Sequence, residues 1–307
     1  MTPDFIFIVG VAKAGTTALA GWLVRSGLAT YAVPGVKEPG SYLKTASSFF
    51  PPYPPAPGGL PLLDATPAYF GNARVAARLP EHGARIAVCL RNPLERAWSD
   101  YRMKKLLALQ GAGADRFIER LHEAAGGACP TSEAWHQQRL DAVLHTLPRT
   151  ASRQLEQHFD AESRRLVEDR FGERLDYELA FFASRHVFPH QPVLRFSFYY
   201  QGLRLLLDRY QPEDIVVLTR QGLADTGRRT EIALRLAGRG LAGEAPGRSF
   251  TLSDIALDEP EPDFAGAEFD GLRRMFAFDL DHSLELLESR GVATNLLDRD
   301  ELYRHIR

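Results

Sequence analysis

FIFIVGVAKAGTT, residues 5–17, is the stretch on which the fold turns. Phe5 to Val9 is a short apolar run that stops at Gly10, as a buried parallel strand does. Beyond the turn, Leu19, Trp22 and Leu23 recur at helical spacing, and Gly27 supplies a stop. Between strand and helix lies Gly10-Val11-Ala12-Lys13-Ala14-Gly15-Thr16-Thr17. Glycines here let backbone N–H groups face an anion at a helix N-terminus. The Gly-x4-Gly spacing is that of a nucleotide phosphate loop, but the lysine is displaced. Thr16 stands where an NTPase carries its lysine, and Lys13 lies inside the loop. An ordinary glycine-rich strand-to-helix turn is the plain alternative. The agreement of strand, loop and helix favours a site for a phosphate-like anion, without the usual arrangement of lysine and magnesium.

Outward from this unit, strands and helices alternate. Arg85 to Leu90 (RIAVCL) reads as a second strand, followed by a helix with Asn92 as N-cap, Pro93 at its first position and Glu95 three after the cap. Asp214 to Thr219 (DIVVLT) reads as a third strand. The helix before it carries Leu203, Leu206, Leu207 and Tyr210 on one stripe. The pattern predicts the α/β class: a P-loop-type, mainly parallel central sheet with helices on both faces, within a single domain spanning 1–307. Ala108 to Gln191 reads as a helical insertion forming one wall of a cleft. Pro51 to Pro61 reads as a stiff loop, Gly238 to Gly266 as a Gly/Pro/acid-rich loop, and Leu272 to Leu287 as a closing helix.

Composition narrows the function classes. At 307 residues, 45% hydrophobic and 25% charged, the chain is neither disordered nor fibrous. A chain of this length buries roughly 75% of its unfolded surface. Lys plus Arg is 37 against 39 Asp plus Glu, so no basic excess points to nucleic acid. Two cysteines, Cys89 and Cys129, cannot build a disulfide framework, and they fit a reducing compartment. No apolar run reaches the ~20 residues of a membrane span. Asp4 precedes the first apolar run and no basic residue does, which is not a signal peptide. A cytoplasmic protein is expected.

Two further segments carry candidate chemistry. Arg91 ends the second strand and Ser99 follows eight residues later on the next helix. Strand C-terminal ends are where open α/β sheets bind ligands; Arg91 can fork onto a phosphate and Ser99 can donate one hydrogen bond. Alone, the segment reads as a local capping pair beside a solvated arginine; next to the first loop, the anion reading takes precedence. In Lys37-Glu38-Pro39, Pro39 favours extended backbone at Glu38. Composition alone makes this a solvated charge pair in a turn; a chain passing the loop would make Glu38 a base. His186 and His190 are four apart with Pro189 between them, which spoils a helical metal pair. Cys89 reads as core, Trp98 and Tyr101 as packing, and Phe196, Phe198, Tyr199 and Tyr200 as core or an acceptor-pocket lining.

Taken together, these segments resemble the sulfotransferases that use 3′-phosphoadenosine 5′-phosphosulfate (PAPS), above all the branch of heparan sulfate sulfotransferases and their bacterial relatives. VGVAKAGTTAL is similar to that family's 5′-phosphosulfate loop, VKEP to its Lys-Glu strip, LLDATPAYF (Leu62 to Phe70) to its Ser/Thr-Pro-x-Tyr segment, and LRNPLERAWSDYRM (Leu90 to Met103) to its 3′-phosphate motif. The later stretch SFYYQGLRLLLDRYQPEDIVVLT is similar to its second half. The resemblance implies sulfuryl transfer from PAPS to a hydroxyl, less readily an amine, leaving PAP, with no metal. It implies Lys13 on the 5′-phosphosulfate with Ala14, Gly15, Thr16 and Thr17 around it, Arg91 and Ser99 on the 3′-phosphate, and Glu38 as the base. For the family's C-terminal cofactor loop, Gly247-Arg248 is the candidate. Asp64-Ala65-Thr66 stands where the family often carries a lysine. The acceptor class is left open: glycan, lipid, polyketide or another small metabolite. Two other readings stand beside this one: a P-loop small-molecule kinase, which needs a lysine after Gly15 and an acidic magnesium ligand, and a non-catalytic nucleotide-binding protein.

Overall fold

The computed structural model describes residues 3–43, 53, 59–109, 161–162, 164–186, 189, 191–240 and 259–307. Its elements are β1 (Phe5–Gly10), α1 (Thr16–Arg25), β2 (Thr30–Tyr31), β3 (Leu62–Asp64), α2 (Ala73–Ala76), β4 (Ala84–Leu90), α3 (Pro93–Ala108), α4 (Phe171–Arg185), α5 (Tyr200–Leu207), β5 (Ile215–Thr219), α6 (Arg220–Ala224), α7 (Thr226–Ala237), α8 (Asp270–Ser289) and α9 (Arg299–Tyr303).

The five strands form one sheet in the order β2-β3-β1-β4-β5, and every pairing is parallel. Runs of consecutive buried residues in β1, β4 and β5 mean that both faces of the central strands are covered. The three expected strands are neighbours, so the α/β reading holds. The chain leaves β1 toward β2 and β3 on one side, and leaves β4 toward β5 on the other. Loops that diverge from adjacent parallel strands open a crevice at their C-terminal ends. Here it lies between β1 and β4. One extra residue in β1 shifts the register between Ile8 and Gly10, next to that crevice.

Several boundaries differ from expectation for local reasons. β5 begins at Ile215 because Pro212–Asp214 winds into a 3₁₀ turn, and the Asp214 carboxylate pairs with Arg85 at the edge of β4. α1 ends at Arg25, where Gly27 takes the left-handed conformation and Leu28 N–H reaches the Leu23 carbonyl (2.9 Å). β2 and β3 were not foreseen. At two and three residues they are too short to show a period.

Of the segment 108–191, residues 110–160 lie outside the described residues, and α4 within it packs into the core. Phe171 meets Trp98 and Tyr101 of α3 edge-on and tilted, at 5.1 and 5.4 Å between ring centres. Arg174 and Glu178 of α4 are fully buried and paired (2.8 Å), and Glu178 also accepts the backbone N–H groups of Val193 (2.8 Å) and Leu194 (2.9 Å). A buried charge needs such partners. Most of the loop 51–61 and of the loop 238–266 also lies outside the described residues.

Phe70 is wedged between Gly10 of the loop and Gly202 of α5. A Cβ at Gly10 would lie 2.6 Å from Phe70 Cβ, and one at Gly202 would lie 2.3 Å from its ring. In a helix, Gly to Ala alone gains about 0.5–1 kcal/mol. At Gly202 the clash wins, because overpacking costs about 1–3 kcal/mol. Gly202→Ala is therefore expected to lower the urea midpoint, and an unchanged or raised midpoint would contradict this packing.

Candidate active site

The loop after β1 is shaped for an open helix end. Lys13 (φ 71°) and Gly15 (φ 99°) both adopt the left-handed conformation, which is unusual for a lysine and natural for a glycine. α1 then starts at Thr16 with no side-chain cap and no acidic residue in its first turn. Its first N–H groups therefore present partial positive charge without a protein partner of the usual kind. Thr16 is buried and Thr17 half-buried beside them. Ala14 N–H donates to the Val11 carbonyl (3.2 Å), which shapes the turn.

Arg91, just before α3, and Arg96, in its first turn, hold the loop from outside. Arg91 Nη1 donates to the Lys13 carbonyl and Arg96 Nη1 to the Ala12 carbonyl, each at 3.3 Å. Arg96 is fully buried, and its other donors reach Ser197 Oγ (2.7 Å), the Val193 carbonyl and Asp100. Asp100 also takes Lys104 at 2.9 Å. Burial alone would raise the Asp100 pKa, but Lys104, Arg96 and Lys13 together hold it below the usual carboxylate range. Sequence reading passed over Arg96, although Arg96-Asp100-Lys104 at four-residue spacing was visible as a helix-face charge row.

Asn92 caps α3 as expected, accepting from Leu94 and Glu95 N–H at 3.0 Å each. Glu95 turns its carboxylate to Arg91 (3.2 Å) and Arg304 (3.3 Å). Arg91 is partly exposed, at 23%, so its guanidinium is accessible while anchored. Behind it, the Tyr199 hydroxyl donates to the Arg91 carbonyl (2.6 Å). Tyr199 is fully buried, which makes it a strut for the site and not a pocket wall. Ser99 lies one turn from Glu95 and one turn from Met103, whose sulfur takes Lys13 Nζ at 3.6 Å. Helix geometry thus puts Ser99 on the face between Arg91 and Lys13. Arg248 lies outside the described residues, as does His190.

Lys13 carries the clearest electrostatic mark. Its pKa is lowered to about 8, chiefly by burial, with Arg91 and Lys37 also lowering it and Asp100 and Glu38 opposing them. The Lys37-Glu38 strip is therefore close enough to act on the Lys13 charge. It is not a solvated pair. Lys37 is fully buried, bonded to Glu38 and to the Ala65 carbonyl (3.3 Å), while Glu38 is 21% exposed. The strip is held against the end of β3 by Ala65 N–H to the Lys37 carbonyl (3.1 Å) and Gly40 N–H to Thr66 Oγ1 (3.2 Å).

Asp64 closes that end of the sheet. It is fully buried and accepts from Tyr53 (2.7 Å), Thr66 (2.6 Å) and Tyr69 (2.7 Å). Burial raises its pKa to about 6 against the lowering effect of those three hydroxyls. Cys89 is core, its thiol pushed up to about 12 by burial. Among the described residues, no group of three or more His, Cys, Asp or Glu could hold a metal ion, and no helix is long and apolar enough to cross a membrane.

No protein-family model matches the chain, and no curated protein matches it.

An anion bound at Lys13 raises that lysine's pKa, so binding takes up a proton where Lys13 of the unliganded protein is neutral. Affinity must then fall as pH rises above about 8. Sulfate, which does not titrate in this range, should lose up to about tenfold in affinity per pH unit between pH 8 and 10. Lys13→Arg, which stays charged, should flatten the loss. Calorimetry across that range checks it, and a flat wild-type profile would remove Lys13 from the anion site.

Proposed function

We propose that the chain is a PAPS-dependent sulfotransferase acting on a hydroxyl, less readily an amine, of a small or polymeric acceptor. One juxtaposition carries this reading. The uncapped helix start with Lys13 and the accessible Arg91 lie at the C-terminal ends of β1 and β4, and the Lys37-Glu38 strip, held at the end of β3, is near enough to act on the Lys13 charge. Two separate cationic points suit a ligand with two phosphate-type ends, and a carboxylate near one of them suits proton removal from an acceptor.

PAPS supplies the sulfuryl group and a phosphate leaving group. The residues of the chain do the rest. Thr16, Thr17 and the first N–H groups of α1 hold the 5′-phosphosulfate still, and Lys13 meets the negative charge that grows on the bridging oxygen as the S–O bond breaks. Arg91 and Ser99 take the 3′-phosphate. Glu38, oriented by Lys37, takes the acceptor proton as the new S–O bond forms. The products are the sulfated acceptor and PAP, with the proton on Glu38.

The kinase reading fits less well. In P-loop NTPases an aspartate helps hold magnesium. Asp64, at the end of the strand beside β1, is fully buried and its carboxylate already accepts three hydroxyls. The position after Gly15 is Thr16. The third reading, a nucleotide-binding protein without catalysis, predicts PAP binding and no turnover with any acceptor.

PAP is expected to raise Tm with chelator present, and more than ATP with magnesium does. A ligand at 100 times its Kd stabilises by about 2.7 kcal/mol. Glu38→Gln is expected to lower kcat by about 10²–10⁴-fold with PAP affinity nearly unchanged. Wild-type turnover in folded Glu38→Gln would remove Glu38 as base. Arg91→Ala is expected to weaken PAP by roughly 1.5–3 kcal/mol, the scale of a hydrogen bond to a charged group. Unchanged PAP affinity in that variant would reassign the 3′-phosphate.

A further inference from the structure

The segment 299–307 reaches the first turn of α3 from the far side of the sequence. Leu302 (0% exposed) and Ile306 (6%) plug it into the core. Between them His305 takes a left-handed turn (φ 64°), closed by Ile306 N–H to the Tyr303 carbonyl (2.9 Å). The Asn92 side chain, while capping α3 with its oxygen, donates its nitrogen to the Leu302 carbonyl (3.1 Å) and to the Arg304 carbonyl. Two apolar anchors and one amide thus fix the backbone of Arg304 against the α3 N-terminus. Its guanidinium is left half-exposed, at 48%.

That guanidinium meets one oxygen of Glu95, Oε1, at 3.3 Å, while Arg91 meets the other, Oε2, at 3.2 Å. The Glu95 carboxylate thus bridges two partly exposed guanidiniums. A phosphate dianion has more oxygens and more charge than the carboxylate, so it competes for both arginines.

The geometry points to Arg304 as a second arginine for the phosphate that Arg91 binds, with Glu95 holding the pair in position until that phosphate arrives. This assignment rests on the reading of Arg91 given above. It makes the segment 299–307 part of the ligand site, and it makes the site discriminate nucleotides with a 3′-phosphate from those without one.

Arg304→Ala is expected to fold normally, since an exposed ion pair contributes little to stability. Its Kd for PAP should rise about tenfold, a modest loss for a charge-assisted contact. Its Kd for 5′-AMP, which lacks the 3′-phosphate, should stay within twofold of wild type. Arg304→Lys should recover part of the PAP affinity, because it keeps the charge and loses the fork. Calorimetry with PAP and 5′-AMP on the three proteins reads all of this. Equal PAP affinity in wild type and Arg304→Ala would overturn the assignment and leave the role of Arg91 standing. Equal loss for PAP and 5′-AMP would overturn it too, in favour of a structural role. A wild-type protein that binds PAP no better than 5′-AMP would refute the sulfotransferase reading itself.

Discussion

Two arginines on two consecutive carbonyls organise the rest of this molecule. Arg91, just before α3, and Arg96, in its first turn, take the carbonyls of Lys13 and Ala12. The loop after β1 buries Val11 and Ala14 in the core, but it contains two left-handed residues, Lys13 and Gly15. Charge-assisted hydrogen bonds from a neighbouring helix keep it in one conformation without filling the crevice. Arg96 can do this from full burial because every side of its guanidinium is matched, by Ser197, Val193 and Asp100 as well as the loop. A buried guanidinium that lost those partners would be strongly destabilising. The same contacts carry the distant segment 193–199 to the site, where Tyr199 then braces the Arg91 backbone.

A second buried network does the corresponding job on the β3 side. Asp64 gathers three hydroxyls, and two of them reach onward to the strip that carries Glu38. Thr66 accepts from Gly40, and Tyr69 accepts from Tyr42, each at 3.2 Å. The strip therefore has a fixed distance from the sheet edge, although it is irregular backbone. Polar networks of this kind specify one arrangement because any partly broken version leaves buried groups unsatisfied. Lys13 is within electrostatic reach of Asp100 in the first network and of Lys37 and Glu38 beside the second; burial, Arg91 and Lys37 lower its pKa against the opposing pull of Asp100 and Glu38. A lysine in that condition gains most from an incoming anion.

Much of the framework was legible along the chain. A continuous apolar run followed by Gly-x4-Gly defines a strand, a turn and a helix through properties of adjacent residues, so β1, the loop and α1 were readable. The same holds for β4 with the Asn92-Pro93 start of α3, and for the leucine stripe of α5. Local sterics and capping chemistry act within a few residues, and sequence displays them directly. Lys13, Thr16, Thr17 and Arg91 were marked because they sit at fixed offsets from those local features.

The rest depended on residues far apart in sequence. Lys37 looks like a surface charge by composition, and it is buried because β3 and the Asp64 hydroxyl cluster close over it. Arg96 looks like any helix-face arginine, and it becomes the clamp because the loop and segment 193–197 arrive on its side of α3. Glu95 looks like the third residue of a capping pair, and tertiary packing gives it Arg91 and Arg304 instead. Arg304 stands 209 residues beyond the glutamate that it meets. Local rules in the sequence by themselves determined the α/β alternation and the anion-facing turn. Only the packed sheet decided which charges are buried, which are paired and which face the crevice, because desolvation and Coulomb energy depend on distance in space.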